Sequence, residues 1–163
     1  FSTINFTKST EQPLHSDYIH FSSIPERYLA GVWLALEDIH PDSGPLNIVP
    51  KSHKLPIVTL KDIGAKVPKN LVELKKNYTL YEKYVSRQVS DLDLEIKVTK
   101  LKKGQCLIWT ANILHGAPKI KNKALTRKSM VIHYHFEDCK YYNPSFSEVE
   151  NQIFQYRTLE IIN

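Results

Sequence analysis

An all-β sandwich or jelly roll with helical cover is the fold class this sequence predicts. The chain has 163 residues, 42% of them hydrophobic, which suits one domain with its own core and falls short of two. Short runs rich in Val, Ile, Tyr, Phe and Trp alternate with closely spaced turn signals, the pattern of antiparallel sheets rather than of βαβ units. One stretch breaks that pattern with apolar residues three and four apart, and supplies the helix.

In chain order the expected strands are Asp17–Phe21, Leu29–Asp38, Leu46–Val49, Ile96–Leu101, Gln105–Thr110 and Lys128–Glu137, each rich in β-branched or aromatic residues. The turns between them are Ser22-Ser23-Ile24-Pro25, the run from His40 to Pro45 with Gly44-Pro45, Pro50-Lys51-Ser52-His53, Lys102-Lys103-Gly104, and Asn112 to Pro118. Between the early and late strands lies the insert Ile63–Asp93, where Leu71, Leu74, Tyr78, Tyr81, Tyr84, Val85 and Val89 recur at helical spacing. The tail from Tyr141 onward is expected to form one amphipathic helix after Pro144, covering a sheet edge. Residues 1–163 are read as a single domain.

Composition narrows the function classes. Net charge is +5, but the lysine clusters Lys61–Lys76, Lys97–Lys103 and Lys119–Lys128 lack interleaved stacking aromatics, so a solvated basic surface is expected and nucleic acid is not. No apolar run has the length of a membrane span, and the opening FSTINFTKST has no signal-peptide layout. Cys106 and Cys139 stand far apart without CxxC spacing, which predicts reduced thiols in a cytoplasmic protein. The chain opens on Phe1, and its one methionine is Met130, so a processed or truncated product is expected. Nothing in the sequence speaks to oligomeric state.

The chemistry concentrates in PLHSDYIHF. Residues two apart on a strand share a face, so His15 and Asp17 project together, with Ser16 turned away. A further imidazole, His115, follows the apolar run Gln-Cys-Leu-Ile-Trp in the turn ANILHGAP. Two histidines and one carboxylate leave positions open on a metal, as in non-haem Fe(II) oxygenases. Arg127 opens the strand RKSMVIHYHF with Ser129 on its own face; a planar guanidinium holds a carboxylate bidentately, and a hydroxyl adds a further bond.

Four ordered blocks, HSD at 15–17, AGVWLALEDIHPDSGPLNIVPKSHKLP at 30–56, KGQCLIWTANILHGA at 103–117 and RKSMVIHY at 127–134, resemble the phytanoyl-CoA dioxygenase-like branch of the Fe(II)- and 2-oxoglutarate-dependent oxygenases. The resemblance runs from about Gln12 to about Asp138. It implies a double-stranded β-helix (a cupin-like jelly roll), with His15, Asp17 and His115 as iron ligands and Arg127 gripping the distal carboxylate of 2-oxoglutarate. It further implies Ser129 as an aid to Arg127, and Trp33 as the tryptophan packed beside the co-substrate. The implied reaction uses Fe(II), 2-oxoglutarate and O2 to hydroxylate an unactivated C–H of a small molecule, releasing succinate and CO2. Halogenating relatives carry Gly or Ala where this chain has Asp17, which favours hydroxylation.

The chain also departs from the family. Ala117 stands where many members have a small hydroxyl residue, Lys51 replaces the usual glycine of the turn before His53, and members carry a much longer segment before the HxD strand. A C-terminal portion of a longer enzyme, lacking N-terminal elements, is therefore expected. Rival readings are a non-catalytic jelly-roll binding protein or inactive fragment that retains the metal site, and a cupin-like metal enzyme that does not use 2-oxoglutarate. His20, His40, His53, His133 and His135 receive no ligand role, with His53 read as a turn residue and His133 as a satisfied core histidine. Trp109 is expected in the core, Asn112 is a candidate to orient a ligand, and Glu37 and Asp38 are read as structural.

Overall fold

The computed structural model describes residues 2–159. Nine strands and one long helix are found there: β1 (Ser2–Phe6), β2 (Ser22–Ile24), β3 (Leu29–Ala35), β4 (Asn47–Ile48), α1 (Leu71–Asp91), β5 (Lys97–Val98), β6 (Cys106–Thr110), β7 (His115–Gly116), β8 (Ser129–His135) and β9 (Lys140–Tyr142). An antiparallel sheet runs in the order β1-β8-β3-β6, a smaller one in the order β5-β4-β7, and β2 pairs with β9. This is the jelly roll the sequence predicts, with α1 as its helical cover.

Strand alternation sets the core. Along β3, Leu29, Gly31, Trp33 and Ala35 point inward, and Trp33 and Ala35 meet Trp109 of β6 and Leu46 just before β4, so both sheets feed one apolar cluster. A second cluster forms where α1 lays Tyr81, Val85 and Val89 on Ile19, Val49 and Leu114. These three helix positions are spaced four apart, one buried stripe. Asn70 caps the helix by accepting a hydrogen bond from the Glu73 N–H at 2.9 Å, and a Glu73 carboxylate oxygen accepts from Lys69 N–H at 2.9 Å. The insert is thus helical only from Leu71, and its 63–70 portion is turn and coil.

Four local expectations are corrected. Asp17–Phe21 is not a strand: Asp17–Ile19 is a 3-10 turn, closed by Asp17 O accepting from both His20 N–H and Phe21 N–H. Its β-prone Tyr18 and Ile19 are buried instead through tertiary contacts, which outweigh propensity. Ser22–Ile24, read as a turn, is strand β2, and the turn read at Asn112–Pro118 contains strand β7. The tail forms no long helix over its described part. It makes short 3-10 turns at Pro144–Phe146 and Val149–Asn151 and bridges back through Tyr142–Tyr156 and Glu148–Ile153. Asn143 and Ser147 divert its backbone groups into local hydrogen bonds. Residues 160–163 of the expected helix and domain lie outside the described residues. Strand β1 was not anticipated.

Lys51, standing where the resembling family has glycine, has φ +67°, a left-handed conformation that glycine adopts without steric cost. No helix among the described residues is long and apolar enough to cross a membrane, and both cysteines are free thiols.

Candidate metal centre

His15 and His115 are brought together by the backbone. They form an antiparallel bridge in which each N–H donates to the other's carbonyl at 2.8 Å, and the imidazole centroids stand 4.6 Å apart. The pairing continues with Ala117 N–H to Gln12 O at 2.8 Å. Gly116 permits it, because a Cβ there would meet Gln12 O at 2.7 Å. Ser16, between the two ligand candidates of the HSD segment, is pinned from α1: its N–H donates to the Tyr81 hydroxyl at 2.9 Å.

Backbone carbonyls set the direction of both rings. His15 Nδ1 lies 2.8 Å from Pro13 O and His115 Nδ1 lies 3.1 Å from Ile113 O. A carbonyl only accepts, so each Nδ1 carries a proton, which in the neutral ring leaves Nε2 as the lone pair that ligates metals. Burial, then the neighbouring His115, push the His15 pKa down to about 4, so that its ring is neutral at pH 7.

Asp17 completes the group. Its Oδ1 lies 3.6 Å from His115 Nε2, and its Oδ2 accepts from the Trp109 indole N–H at 2.9 Å and faces His133 Nε2 at 3.4 Å. Burial opposes ionisation of this carboxyl, but His115, His133 and Trp109 together outweigh it and hold the group well below the usual carboxylate range. His15, Asp17 and His115 are all buried, offer ligand atoms within 4.8 Å of one another, and are the one such group among the described residues. Two imidazoles and one carboxylate oxygen suit a divalent first-row ion such as Fe(II).

The same cavity, of about 150 Å³, reaches Arg127, Trp33, Leu46 and Val131. Arg127 sits 3% exposed before β8, its Nη1 donating to Gly44 O at 2.9 Å. Its Nε is buried without a partner, and so is Ser129 Oγ, on the same strand face. The guanidinium lies 5.5 Å from the centroid of the Trp33 ring, within cation–π reach. Burial draws the Arg127 pKa down to about 10, which leaves it charged at neutral pH. Glu37 brackets this arginine by accepting from Thr126 Oγ1 at 2.9 Å and Lys128 N–H at 2.7 Å, a structural role as expected.

The remaining histidines and neighbours divide cleanly. His53 stays in its turn, where its carbonyl accepts from Arg27 and from Asn112 Nδ2. Asn112 therefore braces the turn at His53 and is hydrogen-bonded to no ligand candidate, contrary to the expectation for it. His20 lines the cavity and stacks on Tyr78, while His135 packs edge-on against Tyr141. Trp109 lies in the core as expected, yet its N–H serves Asp17. That link went unforeseen, although a buried indole N–H calls for an acceptor.

A protein-family model described as "Phytanoyl-CoA dioxygenase (PhyH)" matches residues 1–129. The chain is 26% identical over 144 residues to the peroxisomal phytanoyl-CoA dioxygenase of Rattus norvegicus, covering 88% of this chain and 39% of that one. It thus spans well under half the length of this relative. Among solved structures, the non-heme alpha ketoglutarate dependent carbocyclase SnoK from nogalamycin biosynthesis superposes with a TM-score of 0.66 at 14% identity, over 99% of this chain and 60% of SnoK. EctD from S. alaskensis, with 2-oxoglutarate and 5-hydroxyectoine, gives a TM-score of 0.56 at 17% identity over 82% and 42% of the two chains. These two likenesses show a shared jelly-roll fold.

Proposed function

This chain belongs to the phytanoyl-CoA dioxygenase family, and from that premise we propose that it carries the site of an Fe(II)- and 2-oxoglutarate-dependent dioxygenase that hydroxylates an unactivated C–H of a small molecule. One observation carries the reading. A buried His-Asp-His group and a buried arginine with an unpartnered Nε line a single cavity. A metal site accounts for the first, and an anionic ligand bound beside it would pair the second.

The residues present fit these groups. His15 and His115 would hold iron through Nε2, and Asp17 through Oδ1, the atoms left free by Pro13, Ile113 and Trp109. Arg127 Nε and Ser129 Oγ would bind the distal carboxylate of 2-oxoglutarate, with the Trp33 face beside it. When bound, iron and 2-oxoglutarate supply the oxidation: O2 is consumed, one oxygen atom passes to succinate as CO2 leaves, and the other enters the substrate C–H bond. The chain's own part is orientation and exclusion of water. The apolar walls Trp33, Leu46 and Val131 would exclude water from the carboxylate end, which would strengthen each charged contact there. Asp17 would fill the position that a halide needs, which favours hydroxylation.

Anaerobic titration of the metal-free protein with Fe(II), then with 2-oxoglutarate, tests the proposal. A weak visible charge-transfer absorption that grows with 2-oxoglutarate and saturates is the expected result. Iron binding with no such band overturns the assignment of the clamp, and absence of iron binding overturns the assignment of the centre.

A further inference from the structure

Asp17 has two oxygens, and they face different surroundings. Oδ1 looks toward His115 Nε2 at 3.6 Å. Oδ2 takes the Trp109 indole N–H at 2.9 Å and faces His133 Nε2 at 3.4 Å. His133 is 5% exposed, lines the cavity, and its buried Nε2 makes no hydrogen bond, its 3.4 Å approach to Asp17 Oδ2 being a contact rather than a hydrogen bond. Both contacting side chains come from the large sheet. Gly31, paired with Trp109 across β3 and β6, leaves room for the indole: a Cβ on Gly31 would come within 2.5 Å of the ring.

We infer that Trp109 and His133 are positioning residues that occupy Oδ2, Trp109 by its indole hydrogen bond and His133 by an Nε2–H poised 3.4 Å away, and so hold Asp17 as a one-oxygen ligand through Oδ1. The inference rests on the iron and 2-oxoglutarate reading above. An octahedral iron that takes three protein ligands, a chelating 2-oxoglutarate and O2 has no position to spare. A carboxylate free to offer both oxygens would take one of those positions. Two donors on Oδ2 use the lone pairs that a second metal bond would need, and they also compensate a buried charge. Trp109 supplies a donor that can never act as an acceptor. His133 does the same through an Nε2–H tautomer.

Cobalt(II), whose visible ligand-field absorption reports coordination number, is the probe, applied to the full chain and to Trp109→Phe, His133→Leu and His133→Gln. Trp109→Phe keeps the aromatic packing, and His133→Gln keeps a donor near the same place. The expected result is Co(II) binding about 10- to 100-fold weaker in Trp109→Phe and His133→Leu, with weaker visible absorption as Asp17 gains its second metal contact, and recovery in His133→Gln to within about threefold of the parent. Melting of each metal-free variant reports its fold; should Trp109→Phe melt early, the His133→Leu and His133→Gln pair decides. Parental affinity and spectrum in both donor-less variants would overturn the inference while leaving the metal centre in place. Equal loss in His133→Gln and His133→Leu would also overturn it. Failure of the parent to bind Co(II) at all would take down the metal-centre reading itself.

Discussion

At the triad end of the cavity, the atoms that do not face the centre are occupied by the chain: His15 Nδ1 by Pro13 O, His115 Nδ1 by Ile113 O, and Asp17 Oδ2 by Trp109. At the other end, Arg127 Nε and Ser129 Oγ are buried with nothing to bond. Each unsatisfied group of that kind costs about 1–3 kcal/mol, and the folded protein bears the cost in the absence of ligand. The difference teaches that the triad end is ordered largely by the chain's own hydrogen bonds, His133 Nε2 excepted, whereas the proposed carboxylate end would gain its missing partners from a bound anion.

The largest expected effect breaks the triad end outright. Asp17→Ala should weaken Fe(II) or Co(II) binding more than about 1,000-fold, about 4 kcal/mol, as read by metal titration. Retention of tight binding would mean that the two histidines suffice.

Acid should undo the same end without mutation. The His15 pKa is pushed from 6.5 down to about 4 in the folded protein, so between those values the unfolded chain takes up a proton that the folded one refuses. The stability this burial allows is whole above about pH 6.5 and is lost as pH falls toward 4, on the order of 3 kcal/mol. Thermal melting of the metal-free protein across that range checks it, and a flat profile would show that the ring is not held neutral.

Arg127→Leu separates the two ends by sign. Affinity for 2-oxoglutarate should fall about 30- to 100-fold, near 2–3 kcal/mol, while the ligand-free protein melts at the same temperature or higher, because an incompletely paired buried cation has been removed. Marked destabilisation would make Arg127 a structural residue and erase the contrast. Ser129→Ala gives the smallest change: 2-oxoglutarate binding weaker by about fivefold, near 1 kcal/mol, with ligand-free stability level or slightly raised. Isothermal titration beside melting curves measures both.

Much of this was legible in the sequence, for reasons that can be stated residue by residue. Strand alternation at Leu29, Trp33 and Ala35 and helical spacing at Tyr81, Val85 and Val89 survive folding because each pattern buries one face. The convergence of His15 with Asp17 also survived, though by another route than strand parity: a single bridge followed by a 3-10 turn. Hydrogen bonds that depend on tertiary approach were not legible. Neither Trp109 on Asp17 nor Asn112 on His53 follows any spacing rule. The tail misled because its apolar period suggested a helix, whereas Asn143 and Ser147 capture the backbone locally.

The reciprocal bridge between residues 15 and 115 joins segments separated by β2 to β6 and the whole of α1. Closing so long an excursion is a conformational cost met during folding, and until it is met the two imidazoles are strangers. A cation held at this point, as proposed, would be a rivet driven through a seam: it could be set only in molecules whose seam has closed. By mass action it would draw the population toward that closed form, so metal occupancy would double as a census of completed folding.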